Sequence, residues 1–526
     1  MQQACPLCRA PLSPGPEKVY EEATRRYMVV HQMVERGYAS WSALPPSAQQ
    51  GIDAAVAGWR AAADEGFVLA QHLLGNVYLA GQCVKQNSDE ACHWYKKAAE
   101  QGNADSQYHL GTLLQTARGA AQGNSEAAHW MRKSAEQGHA VAQKNLGLFY
   151  EEGLGVPQNE EAAHWFKKAA EQGNASGQLS MGWLLETGRG IPQSHTEAVK
   201  MYKKAANQGD AEAQSLLAQM YTNGSGVVQS DVKAAQWYKK AADQGHAQAQ
   251  FNLAVLCVHG RGVAQSIVEA ALWYKKAADQ GCVDAQRELG LCFAMGDGVA
   301  QSDSKAACWY RKAADQGDAQ AQCLLGKACI DGRGVGQSNA AEAAQWFKKA
   351  ASQGDREAQG VLGNLYSDGC GVAQSDVEAV RWYRKAARDG CAVSQANLAN
   401  RLMTGRGVAQ SAAKAAEWFE KAADQGHVGA QFNLGTLFVQ GQGVAQSDVE
   451  AATWFRKAAD QGHQVAQRNL GIFYASGRGV AKSEVQAARW LRKAADQGCA
   501  QAQFLLRGLK DSGRGVAQNS AEAAKR

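Results

Sequence analysis

Two cysteines near the start of the chain, Cys5 and Cys8 in CPLCRAPL, stand at a spacing that lets one tight turn offer two thiolates to a zinc ion. Zinc takes four ligands. His31 lies in a stretch with helical spacing and the next cysteine is Cys83, so the pair is half a site. Three other patterns invite chemistry. Ser230 and Lys233, Ser302 and Lys305, and Ser411 and Lys414 set a hydroxyl and an amine three residues apart, as a nucleophile and its base can be. His93, His129 and His164 each precede a tryptophan in successive stretches. Pairs of cations, from Lys96-Lys97 to Arg492-Lys493, recur eleven times and could line up to track a phosphate backbone.

What these residues can do depends on the elements that carry them, and those elements repeat. The Gln of an Ala-Gln pair or its equivalent recurs at Gln71, Gln107, Gln143 and onward to Gln503, thirteen times in steps of 36 residues with one step of 35 and one of 37. A fixed period of this length means stacked copies of one small unit. Three residues after the Gln stands Leu in twelve copies and Met181 in the other; six and seven after it come mostly large apolar side chains. These offsets share one face of a helix, helix A. Four after the Gln comes Gly or Ala, except Arg507, and a small residue there lets a neighbouring helix come close. Gly-x-Gly, such as Gly260 and Gly262, ends helix A with left-handed conformations. The serine of AQS or PQS starts helix B. Ser194 with Glu197, Ser266 with Glu269, Ser375 with Glu378 and Ser447 with Glu450 have capping-box spacing, in which each side chain serves the other's backbone N–H. Helix B buries Ala-Ala, a Trp with a second aromatic, and Ala-Ala again, and ends at Gln-Gly. Short turns at both ends force antiparallel neighbours. The expected fold is an all-α, right-handed superhelical solenoid of about thirteen helix-turn-helix repeats.

This frame disposes of most of the chemistry. The Ser-x-x-Lys sites fall where other copies have Ser-x-x-Glu, so the serines are helix caps. The spacing matches penicillin-recognising enzymes, but their Lys-Thr-Gly and Ser-Asp-Asn partners are missing from the sequence. Equivalent histidines on stacked helices stand roughly 10 Å apart, too far to share a metal at about 2 Å per bond. The cation pairs sit in the last turn of helix B, where they complement the helix dipole. Gly-x-Gly follows no strand, so it is no nucleotide fingerprint, and the sequence holds no Gly-Lys-Ser/Thr phosphate loop, His-Glu-x-x-His or Gly-x-Ser-x-Gly.

The whole pattern, A-x-x-x-L-G…G-x-G-V-x-Q-S…E-A-x-x-W-Y-K-K-A-A-x-Q-G, resembles the SEL-one-like repeat family, relatives of tetratricopeptide repeats. The resemblance covers residues 66–526, nearly nine-tenths of the chain. It implies a non-enzymatic scaffold or adaptor of signalling, trafficking or degradation complexes. One bacterial branch clamps each repeat with a cysteine pair, which this chain lacks. Cys-Pro-x-Cys-Arg in turn looks like the last ligand pair of a RING-type zinc domain, whose other six ligands are missing here. A RING remnant, an ordinary tail and a redox Cys-x-x-Cys all remain open for Cys5 and Cys8. No cofactor is expected, and zinc only with further ligands upstream of Met1.

Three segments follow: a tail at 1–15, a helical capping repeat at 16–65 and the solenoid at 66–526, its last repeat incomplete. In the capping repeat, Tyr20, Ala23, Tyr27, His31 and Val34 share one helical face, and Trp59 sits near the helix-B tryptophan position. At the far end Arg507 and Lys510 replace core residues, which suits a polar closing cap or a truncated chain equally. Lys and Arg exceed Asp and Glu by 55 − 50 = 5, too few to argue for nucleic acid. The sequence shows no signal peptide and no apolar run of membrane-spanning length, and thirteen unpaired-looking cysteines suit a reducing cytoplasmic or nuclear setting. There the sequons at Asn174 and Asn223 carry no meaning. Binding is expected on a concave helix-A face, where residues one and five after the Gln vary between copies. The five-after set includes Asn76, Thr112, Trp183, Gln219, Lys327, Asn364, Asn400 and Thr436, with Trp183 a candidate anchor. The expected role is a scaffold for a protein or peptide partner; the alternative is the substrate-recruiting part of a RING-type ubiquitin ligase.

Overall fold

A computed structural model describes residues 15–38, 40–41, 43–81, 83–117, 122–158 and 161–511. Cys5, Cys8 and the incomplete last helix B lie outside the described residues. The chain divides into two compact units, Met1–Gln265 and Ser266–Arg526. The described residues form 27 α-helices and no strand beyond one isolated bridge between Ser40 and Ala43. The fold is an all-α repeat solenoid, in each unit a run of helices packed on their chain neighbours.

One repeat of the first unit shows why. Helix A, Ala211–Asn223, starts at Asp210, whose carboxylate accepts the N–H of Ala213, and stops at Gly224 in the left-handed region. Helix B, Asp231–Asp243, starts at Ser230, whose Oγ accepts the N–H of Lys233. The capping box expected at such serines is half made. The backbone N–H of Ser194, Ser375 and Ser447 donates instead to a helix-A carbonyl, of Leu185, Tyr366 and Phe438 respectively. A glutamate three residues on therefore has no free N–H to serve, which is why lysine stands there as well at Ser230, Ser302 and Ser411.

The small residue of helix A meets a ring. A Cβ added to Gly182 would come within 2.6 Å of Tyr202, and one on Gly363 within 2.5 Å of Tyr383. Burying such a ring contributes about 2–3 kcal/mol. The second glycine of Gly-x-Gly is no cap at all. A Cβ on Gly226 would lie 2.4 Å from the backbone of His195, the first residue of the preceding helix B. The loop leans backbone to backbone on the repeat before it.

The first two helices are Pro16–Glu35 and Pro46–Asp64. Of the expected stripe only Ala23 is fully buried, with Val30 beside it. Tyr20, Tyr27, His31 and Val34 are half-buried. Trp59 is fully buried, and its indole N–H donates to Thr24 at 3.0 Å.

Candidate functional site

The recurring Gln is the residue whose role the sequence hid. From Gln71 to Gln467 it is buried in helix A, and its amide nitrogen donates to an alanine carbonyl eight residues back, in the preceding helix B; Gln71 to Ala63 at 2.9 Å and Gln395 to Ala387 at 3.1 Å are examples. Its oxygen accepts from the Gln that closes the following helix B, as Gln101 donates to Gln71 at 2.8 Å and Gln425 to Gln395 at 2.8 Å. One side chain thus ties three helices. A polar residue that never varies inside an apolar face was the available signal. Among the described residues of the second unit the ladder breaks once. Asp389 stands where the closing Gln belongs, a carboxylate has no N–H to give, and the buried Gln359 oxygen has no partner. Asp389→Gln should restore the bond and raise stability by about 1 kcal/mol, read as a higher denaturant midpoint. An unchanged or lower midpoint would refute this account of the break.

The reactive-looking residues resolve into frame. Lys233 and Lys305 do not address the serines. Their ammonium groups lie 5.4 Å and 5.3 Å from the ring centroids of Tyr221 and Phe293. His93, His129 and His164 are exposed and set edge-on to Trp94, Trp130 and Trp165. Among the described residues no group of three His, Cys, Asp or Glu side chains is placed to hold a metal ion. The second cation of ten of the eleven pairs, and Lys421 after Glu420, have a use beyond the helix dipole. In eleven helices B a lysine lies over the tryptophan three residues earlier, its nitrogen 3.6–4.8 Å from the ring centroid. Such a contact contributes about 0.5–1 kcal/mol at a surface and also occupies the charge.

The varied positions of helix A differ in how far their polar groups are already used. Thr112 and Thr436 each donate to a carbonyl of their own helix, at 3.0 Å, and are half-buried. Trp183 is half-buried under Arg189, whose guanidinium carbon is 5.2 Å from the ring centroid. Lys327 pairs with Glu357 of the next helix A at 2.7 Å. Asn76 accepts from Tyr95 at 2.7 Å and touches His72 at 3.1 Å. Gln219, Asn364 and Asn400 are exposed.

Asn364 and Asn400 come together. They line one pocket of about 350 Å³ in the second unit, set among the helices Arg356–Asp368, Asp376–Arg388 and Ala392–Thr404. Asn364 Oδ1 accepts from the Tyr383 hydroxyl at 2.7 Å and from Asn397 at 3.3 Å, and Asn433 donates to Asn400 at 3.5 Å. Arg401 and Arg406 complete the wall. Both bond to Asp376, at 2.6 Å and 3.2 Å, and Arg401 also donates to Ser367. Burial pushes the Tyr383 hydroxyl above its ordinary pKa, against the pull of the Arg401 charge. Arg401 sits six residues after Gln395, a place that holds Leu256, Leu365 or Leu437 in other copies, and its side chain is only 13% exposed. That lone charge in an apolar column was legible and went unread.

A model of the Sel1 repeat matches twelve adjoining segments that run from 68–103 to 464–499. A protective antigen of uropathogenic Escherichia coli, whose crystal structure displays an SLR fold, is 35% identical in sequence. The match covers 82% of this chain and 92% of that one with a TM-score of 0.73. A Sel1 repeat protein of Oxalobacter formigenes is 33% identical over 59% of this chain and 90% of its own, with a TM-score of 0.48. No curated protein matches the chain.

Proposed function

Because the chain belongs to the Sel1 repeat family, we propose that it is a non-enzymatic scaffold that holds a protein or peptide partner on the helix-A face of its repeats. One observation carries this reading. The residues that recur along the chain are spent on the frame, as the paired glutamines, ring-packed glycines and lysine-covered tryptophans are, while among the varied helix-A side chains Gln219, Asn364 and Asn400 stand exposed. Repeat solenoids use such a generic frame to present a particular surface. The row of cations is a poor phosphate track on this view, since the second lysine of most pairs is committed to an indole ring. Among the described residues no helix is long and apolar enough to cross a membrane.

A photo-crosslinking amino acid at Gln219 or Asn400 should capture partner protein in the native source. The same group at Val449, exposed on helix B, should capture little. Equal capture from both faces, or none from helix A, would refute the reading. A second reading rests on the Cys-Pro-x-Cys-Arg spacing: with further zinc ligands upstream of Met1, Cys5 and Cys8 would close a RING-type domain, and the chain would be the substrate-recruiting part of a ubiquitin ligase. Protein purified from its source without stoichiometric zinc would remove it.

A further inference from the structure

The pocket around Arg401 departs from the repeat in charge, and the departure points to a ligand. Elsewhere an arginine of the Gly-Arg-Gly loop pairs with the first residue of the preceding helix B. Arg261 bonds to Asp231 at 2.9 Å, and Arg478 to Asp448 at 2.7 Å. Arg406 keeps that pairing with Asp376, but there Asp376 also serves Arg401. Two guanidinium groups share one carboxylate, and the lining of the pocket includes both arginines and no acidic residue. The exposed Asp368 is nearby, accepting from Ser367 at 2.9 Å outside that lining. Burying a charge in place of a leucine is costly, and breaches of a local rule gather at functional sites.

The bonding left over is specific. Arg406 spends its Nε on Asp376, and its side chain is 54% exposed, which leaves both terminal amino groups to a visitor. Asn364 and Asn400 have their oxygens engaged by Asn397 and Asn433, which leaves their amide N–H groups as the donors on offer. Asn397 keeps its oxygen as an acceptor. Guanidinium forks fit a carboxylate in two parallel bonds, and side-chain amides match the alternating donor and acceptor of an extended backbone.

We propose that this pocket seats a carboxylate of an extended peptide, with the exposed Arg406 taking the acid, the charge of Arg401 behind it, and Asn364, Asn397 and Asn400 taking the adjoining backbone. The carboxylate is an aspartate or glutamate side chain or a chain end. This inference rests on the reading of helix A as a binding face and narrows it to one ligand chemistry.

The test is an array of extended peptides probed with the full chain. Each sequence is present with Asp or Glu, with Asn or Gln in their place, and with either a free or an amidated C-terminus. The acid forms should retain the protein about tenfold better than their amide counterparts, in keeping with charge-assisted bonding. A preference for the free terminus alone assigns the chain end; a preference for the side-chain acids assigns those. Arg401→Leu restores the residue other copies carry and should erase the preference while leaving thermal unfolding in place. Arg406→Gln, at the surface, should do the same if the first variant fails to fold. Equal retention of acid and amide forms, or a preference that survives both substitutions, overturns the proposal while the binding face stands. Retention of no peptide at all overturns both.

Discussion

Gly334→Ala should destabilise the second unit by about 2–5 kcal/mol, while Gly336→Ala, two residues along the same loop, should cost only about 1–2 kcal/mol. Both glycines adopt left-handed backbone, with φ of 72° and 86°. An alanine at either place bears the penalty of that conformation. They differ in what a methyl group would meet. At Gly336 nothing lies within 4 Å, whereas at Gly334 the Cβ would fall 2.0 Å from the carbonyl oxygen of Asp303 and 2.3 Å from its carbon. That neighbour is backbone, the first residue of a helix capped by Ser302, so no rotamer change can relieve the clash. Either the loop lifts or the cap opens. Equilibrium unfolding in guanidinium, followed by circular dichroism, separates the two variants. Equal midpoints would mean that the left-handed conformation alone explains these glycines, and that the close approach between repeats is soft.

Gln214→Met should cost about 1–3 kcal/mol although it preserves volume and adds apolar surface to a buried place. The native amide donates to Ala206 at 3.1 Å and accepts from Gln244 at 2.9 Å, with the side chain 4% exposed. A thioether makes neither bond; the Ala206 carbonyl keeps the N–H of Gly209, so the loss is that of two buried hydrogen bonds with no carbonyl left unpaired. Gln244→Met loses only one of these bonds and acts at a half-exposed place, so about 1 kcal/mol is expected. The double variant should cost less than the two single losses added together, because the bond they share can be lost once. Additive losses would show that the two glutamines act independently and that the ladder is not a unit. The break at Gln359 and Asp389 is the same experiment performed by the sequence, and its repair by Asp389→Gln reads the effect with the opposite sign.

The helix pair, its period and its caps were determined by the sequence itself, because each depends on residues within a few positions of one another. Glycine is required where φ is positive, a serine hydroxyl reaches an N–H three residues on, and the apolar offsets from each Gln repeat one helical turn at a time. The stacking of tryptophan and lysine is equally local, three residues apart on one helix, yet a ring and a cation together suggest too many roles to be read as one. What only the tertiary structure decided is which distant groups meet. The Gln ladder joins residues 30 apart, as in Gln425 with Gln395, and the Arg401–Asp376 bond joins residues 25 apart. The second glycine of Gly-x-Gly looked like part of a cap until the helix it touches was placed beside it. The serine N–H looked free for a glutamate until the helix-A carbonyl that takes it was in view. Asn364 and Asn400 were two of many varied positions along the chain. They line one pocket because neighbouring repeats set them around a shared pair of arginines, and the order of residues along one repeat carries no record of what the next repeat brings against it.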